Sequence, residues 1–172
     1  MPTYDATSAE CFVLTFKEGL LSPVAHDLRL KVTSFSLTLD DARTSVNATF
    51  DATSLVVDAP LKDGVDNPGA LSAADKHKIA GQICDEVLHA SRYPQVTFRS
   101  SSLAPRGDGG YDFAGELSLH GVTRTLSGAT RLVGGRQVLE LVLRQPDYGI
   151  TPYKAMLGAL KIQSDVRVRL TL

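Results

Sequence analysis

Most of this chain alternates apolar and polar residues with a period of two, the pattern of strands buried on one face. The first run, Phe12-Val13-Leu14-Thr15-Phe16, sets Phe12, Leu14 and Phe16 on one face and turns Cys11 outward. Gly19 to Pro23 breaks that run, and a long extended segment follows from about Ala25 to Leu39. There His26, Leu28, Leu30 and Val32 are in phase, after which Phe35, Leu37 and Leu39 take the opposite parity. A one-residue slip near Ser34 reads as a bulge or bend. Asp40-Asp41-Ala42-Arg43 supplies a turn, and Val46, Ala48, Phe50 and Ala52 resume the alternation.

Between Asp58 and Pro94 the pattern changes. Pro60 through Gly69 is rich in Pro, Gly, Asp and Asn and predicts a surface loop. Ser72 caps a helix with Asp75 in its first turn. Ile79, Ile83 and Val87, flanked by Ala80, Cys84 and Leu88, make one apolar stripe at helical spacing. The helix ends by Ser91, because Tyr93-Pro94 forces extended backbone. Alternation then returns in Val96, Phe98 and Ser100, in Tyr111, Phe113, Gly115, Leu117 and Leu119, and in Leu126, Gly128, Thr130 and Leu132. It continues in Leu139, Leu141 and Leu143, and in Ile162, Ser164, Val166, Val168 and Leu170, with glycine-rich turns between the runs.

The pattern thus predicts eight strands, over about 10–17, 25–39, 45–58, 95–103, 110–119, 123–132, 137–148 and 159–171, in one domain spanning 1–172. A helical insertion at about 72–91 separates the third strand from the fourth. Sequential antiparallel strands, each polar on one face, bury the other in a two-sheet sandwich or a closed up-and-down barrel. Strands near a dozen residues are about twice the usual length and favour the all-β, eight-stranded antiparallel barrel.

Such a barrel is either filled by its own side chains or just wide enough for one small ligand. Small residues on inward parities, Ala48, Ala52, Ser100, Gly115, Gly128 and Ser164, either leave room for a guest or taper a filled barrel. The inward walls are apolar in both cases. Each buried methylene contributes roughly 0.8 kcal/mol against an association cost of at least ~4 kcal/mol. A guest held this way needs on the order of ten buried carbons for micromolar affinity, which points to a lipid and away from a sugar or nucleotide.

Composition narrows the functional classes. The 172 residues are 43% hydrophobic and 22% charged, with 18 Lys+Arg against 19 Asp+Glu and a net charge of −1. Near-balance removes the electrostatic reason to bind nucleic acid or an acidic membrane surface. No stretch approaches the ~18 apolar residues of a spanning helix, so no integral membrane protein is expected. Cys11 and Cys84 cannot make a secreted disulfide framework. Asp5 and Glu10 interrupt the N-terminal region where a signal peptide would be apolar. As written, the sequence reads as cytoplasmic, or periplasmic if a leader was removed.

Candidate chemistry is sparse. His26 shares the inward parity of Leu28 and Leu30 and could meet a ligand headgroup near a barrel mouth; the alternative is a rim histidine satisfied by backbone. Asp27 faces the opposite side. His77 and Cys84 lie about 10 Å apart along a helix, too far for one metal or a nucleophile pair. His89 reads as a surface partner of Asp85 and His120 as a solvated turn residue. Glu140 and Arg144 share an outward face as a surface contact. No metal-ligand, hydrolase, phosphate-loop or dinucleotide motif occurs, so no metal and no catalytic residue is assigned.

The order of segments resembles the YceI-like family of lipocalin-like bacterial proteins. The stretches that carry the likeness are Ala25-His26-Asp27-Leu28, Ser54-Leu55-Val56-Val57-Asp58, Tyr93-Pro94-Gln95-Val96-Thr97-Phe98-Arg99-Ser100 and Asp147-Tyr148-Gly149-Ile150. To these add Gly115-Glu116-Leu117-Ser118-Leu119-His120-Gly121-Val122-Thr123, the most specific, and the closing strand from Leu160 to Leu170. The resemblance implies an eight-stranded barrel around an elongated apolar pocket, an isoprenoid, quinone-like lipid or fatty-acid chain as ligand, no other cofactor, and a homodimer. Carried onto inward parities, it places Phe16, Leu28, Leu30, Phe50, Phe98, Phe113, Leu117, Leu141, Ile162 and Val166 in the pocket lining. His26, Gly115 and Gly128 join them on the residue pattern.

Binding and carriage of a long apolar molecule without conversion is the first reading. Its rivals are an enzyme acting on such a lipid, with His26 or His120 as acid–base and a cysteine as nucleophile, and a filled barrel serving as a structural or interaction module.

Overall fold

A computed structural model describes residues 1–18, 26–155, 158 and 160–172. Among these, strands run at β1 (Thr3–Asp5), β2 (Glu10–Thr15), β3 (Lys17–Glu18), β4 (Asp27–Val32), β5 (Phe35–Leu39), β6 (Val46–Asp51), β7 (Leu55–Lys62) and β8 (Val65–Asp66). After helix α1 (Ala73–Gln82) come β9 (Gln95–Pro105), β10 (Tyr111–Leu119), β11 (Val122–Val133), β12 (Arg136–Arg144), β13 (Lys154–Ala155), β14 (Leu160–Ile162) and β15 (Asp165–Thr171). Twelve of them form one antiparallel sheet in the order β1-β5-β6-β9-β10-β11-β12-β15-β2-β4-β7-β8, and β13, β14 and β3 form a second.

The large sheet curls. Its buried core joins Leu30 and Val32 of β4 to Leu37 of β5, Ala48 of β6 and Leu170 of β15, residues far apart in the strand order. Two bends make the curl. β4 passes into β5 across Thr33 and Ser34, where the hydrophobic parity slips, and β6 passes into β7 through a 3-10 turn at Ala52–Ser54. The bends lie side by side and are stitched together. Thr33 Oγ1 donates to the Ser54 carbonyl (2.8 Å), the Ser34 amide to Ser54 Oγ (3.0 Å) and the Asp51 amide to the Ser34 carbonyl (3.0 Å). Asp51 caps the turn by accepting from the Thr53 amide and hydroxyl.

Several boundaries differ from the expected strands, each for a local reason. The 45–58 strand is interrupted by the capped turn at Ala52–Ser54 and then runs on to Lys62. The 137–148 strand stops at Arg144, because Pro146 opens a 3-10 turn at Gln145–Tyr148. The 10–17 and 159–171 strands break near Phe16 and Gln163, where β3 and β14 leave the large sheet to pair with each other. Pro60–Gly69 is not a loop throughout: Asp63 (φ 52°) and Gly64 (φ 79°) make the left-handed two-residue turn of a hairpin joining β7 to β8. The expected break at Gly19 to Pro23 and the strand start at Ala25 lie outside the described residues.

Helix α1 begins with a reciprocal capping box. The Asp75 amide donates to Ser72 Oγ (3.1 Å) and the Ser72 amide to Asp75 Oδ2 (3.1 Å). Its last turn widens into a π-turn at Ile83–Val87. His89 (φ 47°) ends it, its carbonyl accepting from the Arg92 and Tyr93 amides.

Outside the curl, Arg29 of β4 clamps the β7–β8 hairpin. Its Nε donates to Asp58 Oδ2 (2.7 Å), while Nη1 and Nη2 reach both oxygens of Asp66 (2.7 and 3.1 Å). That bond holds the Asp66 carboxyl below the ordinary carboxylate value. A carboxyl lowered on folding stabilises above its unfolded pKa and loses that stabilisation as pH falls through the lowered value. Asp66→Asn is therefore expected to lower the urea midpoint at neutral and alkaline pH and to flatten its acid limb, the variant and the native protein converging at low pH.

Candidate ligand-binding cavity

Inside the curl lies a cavity of about 570 Å³. Alternate residues of the long strands form its wall, among them Leu28 and Leu30 from β4, Phe50 from β6, Phe98 from β9, and Phe113 and Leu117 from β10. Ile162, Val166 and His26 also border it. On β10 the lining runs from Tyr111 to Leu119, about 26 Å of strand. Helix α1 and its π-turn cover one end with Ile79, Gln82, Ile83, Val87 and Leu88.

Four of the expected positions stand elsewhere. Phe16 lies outside, with the Arg167 guanidinium 5.4 Å from its ring, and Phe12 lies under Arg29 and Lys31 at 5.6 and 5.9 Å. The parity of β2 is the reverse of the expectation: Cys11, Val13 and Thr15 line the cavity. Both faces of β2 are apolar, so alternation within it does not decide orientation. The neighbours do. Phe12 pairs across the sheet with Lys31 and Arg169, and Leu14 with Arg29 and Arg167, all on polar parities. Leu141 is half-buried on the same parity as Leu139 and Leu143, which border the void, but is not itself part of the lining.

Gly115 and Gly128 do not leave room for a guest, because the protein's own rings and backbone occupy their surroundings. A β carbon on Gly128 would lie 2.9 Å from Phe113 Cζ, and one on Gly115 would lie 2.7 Å from Phe98 Cζ and from the Ser100 Cα. The two rings meet edge to face, with centroids 5.7 Å apart. These glycines seat the aromatic wall, and the void lies beyond it.

Polar groups gather at the two ends. Around the β5–β6 turn and the start of β10 stand Tyr4, Arg43, Tyr111, Thr130 and Gln137. Thr130 Oγ1 accepts from the Tyr111 amide (2.9 Å) and donates to Gln137 Oε1 (2.6 Å), and Gln137 Nε2 donates to the Gly109 carbonyl (2.9 Å). At the opposite end are His26, Gln145, Tyr148 and Tyr153. Gln145 is buried and bridges strands, its amide donating to the Ser164 carbonyl (2.8 Å) and its side chain to that of Gln163 (3.1 Å). His26, Tyr111 and Thr130 stand on the inward parities that the alternation gives, whereas Arg43, Gln145 and Tyr148 have no strand period to place them, because a turn and a 3-10 segment carry them.

Three of the groups that could carry catalysis, Cys11, Cys84 and His120, are buried or hold protein partners. Burial pushes the Cys11 thiol up to about 12, so the one sulfur in the wall among the described residues stays protonated at neutral pH. Cys84 is also raised, first by burial, and its Sγ lies 3.5 Å from the Ala52 carbonyl. His120 is no freely solvated turn residue. It lies 3.0 Å from His89 Nδ1 through Nε2 and 3.2 Å from the Tyr148 carbonyl through Nδ1, with the Tyr93 ring at 4.6 Å. His89 thus pairs with His120 rather than Asp85, tying the helix exit to the β10–β11 turn. Glu140 pairs with Arg169 and Arg131, and Arg144 with Asp147, all on the outside. Among the described residues no three His, Cys, Asp or Glu side chains group to hold a metal, and no helix is long and apolar enough to cross a membrane.

An antiparallel sheet curled around an apolar chamber, with a helix over one end, is a lipocalin-like architecture. The chain belongs to the YceI-like family, whose domain model matches residues 9–172. Among curated relatives, a UPF0312 protein of Vibrio vulnificus is 38% identical over 63 residues, 37% of this chain and 31% of that protein. One from Pectobacterium atrosepticum is 41% identical over 49 residues, 28% of this chain and 25% of that protein. The chain thus spans under a third of the length of these relatives in the matched stretches. Solved structures match along nearly the whole chain. BcnA of Burkholderia cenocepacia superposes with a TM-score of 0.67 at 18% identity, covering 97% of this chain and 96% of BcnA. A polyisoprenoid-binding domain from Saccharophagus degradans, described as implicated in plant cell wall breakdown, gives 0.65 at 17% identity, covering 98% and 94%. At these identities the likeness is one of fold.

Proposed function

We propose that this chain binds one long apolar molecule (an isoprenoid, a quinone-like lipid or a fatty acyl chain) inside the curl and sequesters or carries it without converting it. The observation that carries this reading is the cavity. Its volume of about 570 Å³ falls within the ~300–1,000 Å³ typical of small-molecule sites, and its long walls are apolar. Scaled by the per-volume penalty of buried voids, a dry vacancy of that size forfeits on the order of 10 kcal/mol, as much as a domain's whole net stability. Water relieves little of that, since leucine, valine and phenylalanine offer it no hydrogen bonds. A hydrocarbon chain supplies the missing contacts.

The strand ladders support the finer reading of a closed up-and-down barrel. With β4–β5 and β6–β7 of the large sheet each counted as one bent stave and the short β1 and β8 left aside, eight staves remain, and β2 pairs with β15 on one side and β4 on the other. The ligand named for the Saccharophagus neighbour belongs to the same chemical class. The protonated Cys11 thiol and the engaged His120 argue against conversion of the guest.

Native mass spectrometry and organic extraction of the purified protein test this. A co-purifying single-chain lipid is expected, released on denaturation. Protein that carries none and fails to take up Nile red would overturn the proposal, and timed conversion of an added lipid would favour the enzymatic rival.

A further inference from the structure

Arg43 is the one lysine or arginine in the cavity lining, and among the described residues it makes no ion pair. The other fully charged lining residue, Asp51, is committed to capping the 3-10 turn. Arg43 Nη1 donates only to the Tyr111 hydroxyl (3.3 Å), which leaves that hydroxyl's proton free to point elsewhere. Tyr4, also in the lining, makes no side-chain hydrogen bond among the described residues. One cation and two phenols therefore share the mouth of an apolar tube with most of their bonding capacity unspent.

The backbone holds Arg43 there at a cost. Its φ is 55°, the left-handed region that non-glycine residues seldom occupy. The turn enforces it: the Arg43 amide donates to the Asp40 carbonyl (3.0 Å), and the Asp40 carboxylate accepts from the Thr44 amide and hydroxyl and the Ser45 amide. Those bonds use up the Asp40 carboxylate, and Asp41 is paired with the N-terminal amine. Neither neutralises the guanidinium. Asparagine or glycine would suit the turn better, so the arginine is explained by what it faces.

Resting on the reading of the cavity as a lipid site, we infer that its ligand is a single-chain amphiphile with an oxyanion head, a carboxylate or a phosphate monoester. The head is received by the Arg43 guanidinium and the Tyr4 and Tyr111 hydroxyls while the chain lies along β10. A guanidinium matches both oxyanions through its paired N–H groups, and the bonds are charge-assisted.

The test is displacement of Nile red, a neutral probe, by palmitic acid, hexadecyl phosphate and methyl palmitate at neutral pH. The acid, the phosphate or both are expected to displace it at about tenfold lower concentration than the ester, the worth of one charge-assisted contact. The two anionic arms tell the oxyanion sources apart. Arg43→Asn, which tolerates the left-handed turn, should keep the melting temperature and the ester's potency while erasing the anionic advantage, and Arg43→Lys should restore part of it. Ester and anions displacing equally from the native protein would overturn this inference and leave the cavity reading standing. So would an anionic advantage that survives Arg43→Asn. Failure of all three lipids to displace bound probe would overturn both.

Discussion

Gly115→Ala is expected to cost about 3 kcal/mol, from overpacking that the surrounding backbone cannot relieve. The pairing of β9 with β10 shifts register between Ala114 and Gly115, so that Gly115 faces Ser100 while Ala114 faces Ser102. The bulge at Ser101 presses the Arg99–Ser100 backbone onto Gly115. A β carbon there would collide with the Arg99 carbonyl oxygen and lie 2.7 Å from the Ser100 Cα, neither of which can rotate away. It would also strike Phe98 Cζ, and through Phe98 disturb the packing against Phe113. For a domain of this size the loss is roughly 6–12 °C in melting temperature, read by calorimetry or circular dichroism. Gly81→Ala supplies the contrast. It lies in α1 with nothing within 4 Å of a β carbon, and alanine there should add about 0.5–1 kcal/mol through helix propensity. Equal effects at the two sites would mean that the bulge relaxes and that Gly115 is not a packing residue.

The same glycines mark where sequence pattern stops being informative. Alternation correctly orients β4, β10 and β15, because their polar parities carry charge: Lys31 and Arg29, Glu116, Arg167 and Arg169. On β2 it fails, since the larger apolar side chains, Phe12 and Phe16, are the outward ones and cations from neighbouring strands cover them. The cross-strand partners held the missing signal, which needs a register before it can be used. An inward glycine is likewise ambiguous. Opposite Phe113, Gly128 is the slot for a ring, and its vacancy is spent before any ligand arrives. Ser72 with Asp75, by contrast, is a local device, and local devices are legible: the capping box stands where the residues place it. The bend at Ala52–Ser54 is equally local, signalled by Asp51 ahead of Ala-Thr-Ser, but an unbroken hydrophobic parity through Phe50 and Ala52 hides it. Arg43 escapes a strand-based reading because a turn carries it, and no periodicity says which way a turn residue faces.

Ala48→Phe is the prediction that bears most directly on the void. Ala48 is buried in the wall of β6, paired with Leu37 on one side and Phe98 on the other, and borders the cavity. A phenyl group added there grows into empty space, so the ligand-free protein should be as stable as the native one or more so, by up to about 2 kcal/mol of newly buried apolar surface. Lipid binding should fall at least tenfold, because the same volume is no longer available. The paired readout is the thermal shift. At a lipid concentration a hundred times its dissociation constant, the native protein gains about 2.7 kcal/mol, or roughly 5–10 °C, whereas a variant bound tenfold more weakly gains about half of that, and less the further binding falls. Leu139→Trp, on the opposite wall in β12, guards against a local failure to fold and should act in the same direction. If either variant folds and still shows the full shift, the lipid binds somewhere other than the interior. Loss of the shift with a rise in intrinsic stability would tie binding to the void itself, since a merely damaged fold would lose both.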